Sequence, residues 1–409
     1  MSSNQWEIGP IFRALMRNKV GAILIAIQIA VTMTIVVNSI FIILERAQRI
    51  ERDSGIDEVN SFYLTTTGFG ENFDPKSTAF NDLELIRNTP GVLDAIQINA
   101  IPVSGSGWSM SFQTEPGEEK ETQGGAIYMV DEHAIDALDL EVIAGENFLP
   151  IDVRFRQPGV RDWPDNVLIT KVLAESLFPD TPYQNVVGKT IYISQTEPMI
   201  VKGIVDKIQA PWVGWDDLEH TVLTPEITGF ESNRYYVRAQ AGQRDAIMPV
   251  IEEALASSNK QRIIRGMRTV QETRERSYRG DTAMIKILST TMVILTIVTG
   301  LGIVGLASFS VNRRKKQIGT RRALGASQGS IVRYFMIENF LISTVGVSLG
   351  AALTVILNML LVEMFSLNAL DWYFVPAGMI VLWVVGQLAV FGPAKKAATI
   401  PPAMATRTV

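Results

Sequence analysis

The sequence has no cysteine and only two histidines, His133 and His220. Disulfide staples, thiol nucleophiles and cysteine-ligated metal are therefore excluded, and two histidines are a thin basis for a metal site. Charge is also sparse, 19% of 409 residues, against about 25% in soluble proteins. No G-x-S-x-G, H-E-x-x-H or D-x-D-x-D-G pattern occurs, and no two acids form a recognisable catalytic pair, so nothing in the chain reads as a chemical engine. Apolar sequence is abundant instead: 47% of residues are hydrophobic and the mean hydropathy is +0.18. The apolar residues gather in four long runs near the two ends. That distribution excludes a single soluble enzyme, and the long water-compatible stretch between the runs excludes a fully polytopic transporter.

The first run, residues 20–44, carries no charge. At about 1.5 Å per residue it crosses a hydrocarbon core of roughly 30 Å with room to tilt. It is longer than the apolar core of a signal peptide, and Glu45-Arg46-Ala47-Gln48-Arg49 follows it in place of a small-residue cleavage site. An uncleaved span is expected. Further spans are expected over 287–311, 331–362 and 375–391, the last extended by Trp372 and Tyr373 as interfacial aromatics. Before the first span, Trp6 to Lys19 reads as an amphipathic helix lying in the interface: Trp6, Ile11, Phe12, Leu15 and Met16 share one face, and Arg13 and Arg17 another.

Basic residues set the orientation. Arg13, Arg17 and Lys19 precede the first span, and Arg313, Arg314, Lys315, Lys316, Arg321, Arg322 and Arg333 lie between the second and third. Lys395, Lys396 and Arg407 follow the fourth, and Glu7 is the one acid outside the spans on that side. The positive-inside bias puts residues 1–19, 312–330 and 392–409 in the cytoplasm, and 45–286 with the short loop 363–374 outside. The net charge of −5 hides this split. The basic loop is a topology signal, and no nucleic-acid partner is expected.

The external region reads as an α+β mixture. Ser61–Thr67, a helix at Phe80–Asn88 and a strand at Val92–Ala100 form one β-α-β unit. Arg234–Ala239, Ala246–Ala256 and Gln261–Thr269 form a second. Two such units combine into a ferredoxin-like sheet, which makes residues of about 105–220 an inserted lobe. In that lobe Val167–Thr170, Lys171–Phe178, Thr190–Ser194 and Met199–Asp206 alternate strand and helix, and Gly105, Gly107, Pro116, Gly117, Gly124 and Gly125 suit a boundary loop. Leu44–Asp53 and Gln271–Lys286 read as helical stalks continuing the first and second spans, with Glu45–Arg49 and Glu272–Arg276 at i,i+4. The fold class expected is a four-span helical bundle with an α+β extracytoplasmic domain.

Three features invite chemistry. Gly188-Lys189-Thr190 is a fragment of a phosphate-binding loop, but the pattern needs a glycine at position 183, where Tyr183 stands; a turn entering a strand is the better account. Glu338 is an acid inside a span, a functional position by default. It lies about 10 Å from the start of its helix, and pairing with Arg333 or the Arg313/Arg314 cluster is the preferred reading over proton or substrate coupling. Gly346 and Gly350 form a G-x-x-x-G with Ser343 near the same face, a pattern for close helix approach, read first as packing within the chain and second as a subunit contact.

The most specific stretch is Asn312–Ser330, NRRKKQIGTRRALGASQGS. It resembles the loop signature of MacB/FtsX-like ABC transporter permeases at Arg314, Lys315, Lys316, Ile318, Gly319, Arg322, Ala323, Leu324, Gly325, Ala326 and Ser327. Gln317 departs from the family's usual glutamate. Gly392-Pro393-Ala394-Lys395-Lys396-Ala397-Ala398 with Pro401-Pro402 is similar to the family's closing segment. VLITKVLAESLF, VVGKTIYI and MIVKGIVDK resemble its periplasmic domain, a porter-type fold with an inserted lobe. The resemblance implies a stand-alone, multi-pass permease of the bacterial inner membrane with no ATPase motif of its own. Separate ABC ATPase subunits would bind the ATP and Mg, a second permease subunit, identical or paralogous, would complete a dimer, and a periplasmic adaptor and outer-membrane channel are further partners. It makes Arg314, Lys316, Gln317, Ile318, Gly319, Arg322, Leu324 and Gly325 the ATPase-coupling loop, with a short helix ended by Gly325 and docking anchors at Ile318 and Leu324. Glu338, Gly346 and Gly350 are the intramembrane candidates.

Two function classes stay open. One is an efflux permease working by mechanotransmission, extruding or extracting a peptide, antibiotic or lipid-like substrate, or releasing lipoproteins. The other is an FtsX-like transducer that activates an external partner such as a cell-wall hydrolase. The size of the external region favours the first. Excised as roughly Asp53 to Arg274, that region is expected to be soluble and to melt cooperatively, with a midpoint that chelators and reductants leave unmoved; a chelator-sensitive melt would show that His133 and His220 are not ordinary residues.

Overall fold

A computed structural model of the chain describes residues 19–160, 162–365 and 368–401. The interfacial helix expected before the first span therefore lies outside the described residues, Lys19 excepted. The chain divides into two compact units, one built from the chain up to Ile50 and from Asp281 onward, the other from Glu51–Gly280.

The first unit opens with α1 (Lys19–Ile50), which runs past the uncharged stretch into the Glu45–Arg49 pair, 2.8 Å. The second unit follows with β1 (Ser61–Gly68), α2 (Pro75–Arg87) and β2 (Val92–Gln97). Helix α2 starts at Pro75, before the expected Phe80. Asp74 caps it by accepting from the Lys76 amide at 3.0 Å, and Pro75 occupies a first-turn position that needs no donor. The insertion then gives β3 (Trp108–Gln113), β4 (Gln123–Val130), α3 (Ala134–Leu138), β5 (Val142–Gly145), β6 (Arg154–Arg156), β7 (Asn166–Thr170), α4 (Lys171–Leu177), β8 (Thr190–Ile193), β9 (Glu197–Val205) and β10 (Thr221–Thr228). The unit closes with β11 (Ser232–Ala239), α5 (Arg244–Ser258), β12 (Arg262–Thr269) and α6 (Val270–Ser277).

Strands β12-β1-β11-β2 form one antiparallel sheet in that order. This is the ferredoxin-like order of two interlocked β-α-β units. Alternation along the strands makes both faces apolar. Phe62, Leu64, Ala95, Tyr235 and Val237 face α2 and α5, while Tyr63, Ile96 and Tyr236 meet Tyr128, Leu168 and Leu223 of the insertion. Within the helical layer, burial raises the pKa of Asp82, opposed by its bonds to Arg262 and Tyr235.

The inserted lobe is larger than the expected 105–220, because its sheet continues to Thr228. Its strands run β4-β3-β8-β9-β7-β10, and β10 pairs back onto β4, closing a six-stranded ring. Closure pairs each of these six strands on both sides, and β5 and β6 attach outside the ring to β9 and β10. Phe112, Ile127, Val167, Ile191, Met199 and Val222 belong to its core. Gly124 and Gly125, expected in a boundary loop, lie inside β4, where a Cβ would come within 3.0 Å of Asp217 and 2.8 Å of Phe112. Gly188 takes φ +83° and turns into β8, as a strand entry and not a phosphate loop.

Two amide side chains join the sheet to the ring. Gln97 donates to the Thr228 carbonyl at 2.9 Å and accepts from its amide at 2.6 Å. Asn99 does the same across β4, donating to Ile127 O at 3.0 Å and accepting from Met129 N at 2.8 Å. Each side chain stands in for one residue of a neighbouring strand. His133 pairs with Asp94 at 2.9 Å and His220 meets the Gly124 carbonyl at 3.1 Å.

The chain returns to the first unit through α7 (Arg279–Arg313), then α8 (Lys315–Ala323), α9 (Gln328–Phe365) and α10 (Phe374–Ala398). Helices α1, α7, α9 and α10 are long and apolar enough to cross a membrane. The stalk expected as one helix over Gln271–Lys286 is broken. Helix α6 ends at Ser277, and Tyr278 leaves helical geometry (φ −90°, ψ 8°), its ring buried and Arg274 lying over it at 5.2 Å. Thr269 and Glu272 form a capping box at the start of α6.

In the membrane unit α1 is the central helix. Ile25, Ile29, Met33 and Val37 recur at i+4 and are buried, whereas Ile23, Leu24, Ile27 and Val31 are exposed along its length. Gly346 and Gly350 lie against α1. A Cβ at Gly346 would sit 2.9 Å from the Ala26 carbonyl oxygen, and one at Gly350 would sit 2.8 Å from Met33 Cβ and 3.1 Å from Ala30 Cα. Thr32 and Thr299 hydroxyls bond at 2.6 Å between α1 and α7, and Arg46 pairs with Asp281 near the other end of that contact. Gly350→Leu is expected to destabilise the full chain by about 1–3 kcal/mol through overpacking, read as a lower midpoint of thermal unfolding in detergent. Gly300→Leu, with nothing within 4 Å of its Cβ, should leave the midpoint unmoved; equal effects would mean that the α1–α9 approach is not tight.

Candidate functional site

The candidate site is the connection between α7 and α9, and it is more ordered than a loop. Nine residues, Lys315–Ala323, form α8. Leu324 ends the helix and Gly325 follows at φ +95°, the left-handed position that suits a glycine after a helix. Ala326 N returns to Arg321 O at 3.0 Å, and Arg322 donates to the Ala326 carbonyl at 2.9 Å. Ser327 then caps α9, its hydroxyl accepting from Ser330 N at 3.2 Å.

Helical spacing divides α8 into two faces. Ile318 and Gly319 are buried. Ile318 is only 5% exposed and packs with Val311, Ile331, Phe335, Ala394 and Ala397. The expectation that Ile318 is a docking anchor is thus corrected: its apolar partner is supplied by this chain. The closing segment, expected as a tail from residue 392, continues α10 to Ala398 and supplies Ala394, Ala397 and Ala398 to that cluster.

 Residues 312–330 and 392–398, distant in sequence, share one apolar cluster.

The other face of α8 is open. Lys316, Gln317 and Leu324 are exposed, Leu324 at 84%. Lys316, Thr320 and Leu324 fall at i, i+4 and i+8, so the leucine ends an exposed polar stripe that Lys316 begins. Gln317, a neutral amide, is exposed on this open face. Arg321 lies over the Tyr334 ring at 4.8 Å.

Arg314 and Glu338 connect the loop to the bundle. The Arg314 guanidinium donates to the Glu338 carboxylate at 2.9 Å, and Glu338 is 7% exposed. The partner is one of those expected from sequence, Arg313/Arg314, and not Arg333. Removing one member of such a pair leaves a buried charge without its counter-ion, whereas neutralising both removes the penalty. Gly346 and Gly350 lie apart from this corner, in the α1 contact described above.

The packed corner went unseen in the sequence because it joins segments from four helices. The available signal was the run of small residues Ala394, Ala397 and Ala398, which permits close approach.

Four membrane helices and an external α+β unit define a membrane permease. Residues 20–254 match the model of the MacB-like periplasmic core domain, and residues 289–402 match that of the FtsX-like permease C-terminal region. The chain belongs to the MacB/FtsX-like family of ABC transporter permeases. It is 26% identical over 350 residues to the macrolide export ATP-binding/permease protein MacB of Acinetobacter baylyi, covering 83% of this chain and 49% of that protein. It is 25% identical over 328 residues to the protein of the same name from Neisseria meningitidis, covering 74% and 46%. The chain thus spans less than half the length of these curated relatives. The extracellular domain of the noncanonic ABC-type transporter YknZ from Gram-positive bacteria aligns with 50% of this chain and 100% of its own, at 14% identity and a TM-score of 0.32.

Glu338→Gln is expected to cost about 3 kcal/mol or more, because Arg314 is left without its counter-ion. The double variant Arg314→Gln with Glu338→Gln should recover part of that loss. Thermal unfolding of the three variants in detergent measures it, and strictly additive losses would count against direct coupling of the pair.

Proposed function

We propose that this chain is the membrane subunit of a MacB-like transporter that works by mechanotransmission. A separate ABC ATPase binds ATP and Mg and docks on the open face of α8. Its closure moves the membrane helices, and the external unit follows, extruding or extracting a peptide, antibiotic or lipid-like substrate on the periplasmic side. A second permease subunit completes the assembly, with a periplasmic adaptor and outer-membrane channel as further partners. The orientation follows the basic residues: α8 is cytoplasmic, and both chain ends lie on its side.

The observation that carries this reading is Leu324. It is 84% exposed at the end of a rigid basic helix, while the other apolar side chain of that helix, Ile318, is used internally. An exposed leucine held by a glycine turn and a cap is suited to a pocket on a partner. The Ile318 side of α8 rests on the corner formed by α9 and α10, so a push on Leu324 is carried into two membrane helices without a flexible joint.

Leu324→Asp is expected to abolish stimulation of the partner ATPase while membrane insertion and the thermal midpoint stay as in the wild type. Ile318→Asp should lower the midpoint, because it buries a charge. Full stimulation with Leu324→Asp would remove α8 as the docking element. A separate experiment addresses transmission. A Gly-Ser-Gly insertion after Arg49 should leave ATP hydrolysis largely intact and stop export, and export at the wild-type level would reduce α1 to a tether.

A further inference from the structure

A cavity of about 370 Å3 opens in the membrane unit at the α8 end of the bundle. It lies between the start of α1, the end of α7 and the first turns of α9, and so belongs to one unit. Its walls are apolar, with Leu24, Leu306, Phe309 and Phe335 among them. Arg313 and Arg314 also line it. A slot with hydrocarbon walls and guanidinium groups together matches an anionic amphiphile, since basic pockets between membrane helices on the cytoplasmic side take anionic head groups.

Two further observations point to a ligand. Asn339 lines the cavity and is 4% exposed, yet its amide nitrogen has no partner among the described residues. Such a donor left unpaired in hydrocarbon is costly, and an ester carbonyl would satisfy it. Glu338 engages Arg314 through one guanidinium nitrogen, and a guanidinium carries five N–H donors, enough to hold a phosphate as well. The volume is at the low end for ligand pockets, suited to part of one acyl chain and too small for a protein segment with its own fold.

The geometry points to a binding site for one anionic phospholipid of the cytoplasmic leaflet: its phosphate on Arg313 and Arg314, its ester region at Asn339 and one acyl chain along Leu24, Leu306 and Phe309. The choice of leaflet rests on the orientation proposed above. Because Arg314 also holds Glu338 and leads directly into α8, an occupied site braces the corner on which the loop helix stands.

The test uses the full chain, purified from detergent and reconstituted in vesicles of phosphatidylcholine with and without phosphatidylglycerol. Native mass spectrometry then reads the lipid retained. Phosphatidylglycerol should be retained in preference to phosphatidylcholine, and Arg313→Gln should reduce that preference about fivefold, the weight of one basic residue at an anionic surface. Ala307→Trp and, independently, Gly21→Phe should empty the site. A Cβ at Gly21 meets nothing within 4 Å, so the second variant keeps the test open if the first fails to fold. Glycerol phosphate, the head group without chains, should not displace the lipid.

Equal retention of the two lipids, full retention in both cavity-filling variants, or displacement by glycerol phosphate would each overturn the assignment. Retention by monomers but not by dimers would give the cavity to a second copy of the chain and overturn it as well. The readout needs no ATPase, so its failure leaves the docking role of Leu324 standing, and loss of stimulation in Leu324→Asp leaves lipid retention unmoved.

Discussion

Two membrane helices can bring their backbones together only where side chains are missing. Gly346 and Gly350 provide that absence on α9, and the Ala26–Met33 stretch of α1 occupies it. Lipid offers no hydrophobic drive for helix association, because its tails are as apolar as leucine, so this packing must come from close van der Waals contact. With α1 central, Thr32 reaches Thr299 on α7 and the buried side of α1 becomes the core of the bundle. The remaining features of the membrane unit are arranged around that contact.

The external unit is held by a different constraint. Its sheet is apolar on both faces and needs cover on each. Helices α2 and α5 cover one face, and the closed ring covers the other. Gln97 and Asn99 fix the ring by imitating strand residues, which turns an insertion into part of the same core. A hydrogen bond of this kind contributes about 1 kcal/mol net, but leaving the buried strand amide and carbonyl unpaired costs about 1–3 kcal/mol each. The joint therefore resists opening more than its bond count suggests.

The loop corner shows how function is attached to this framework. A basic loop between spans would be mobile if water solvated it. Here Ile318 anchors it among Ala394, Ala397 and Phe335, Arg314 ties it to Glu338, and Gly325 and Ser327 define where it turns. The same corner borders the cavity at Arg313 and Arg314. The packed corner and the proposed lipid site thus share Phe335 and the Arg314–Glu338 pair.

The chain's membrane character, its spans, the two β-α-β units and the loop signature were legible in the sequence. Uncharged length, period-two alternation and a local motif are all properties of neighbouring residues. Gly325 was readable for the same reason, since caps act over a few positions. Ring closure was not legible, because pairing of β10 with β4 depends on where distant strands end up. The burial of Ile318 was not legible either. In sequence it is an apolar residue in a basic loop, and only the convergence of α7, α9 and α10 gives it partners. Tyr278 breaks a stretch whose local propensity is helical, because its ring is taken into the core. Local physics decided which segments are helices, strands and spans; tertiary packing decided which of their side chains are spent inside and which, like Leu324, remain for another molecule.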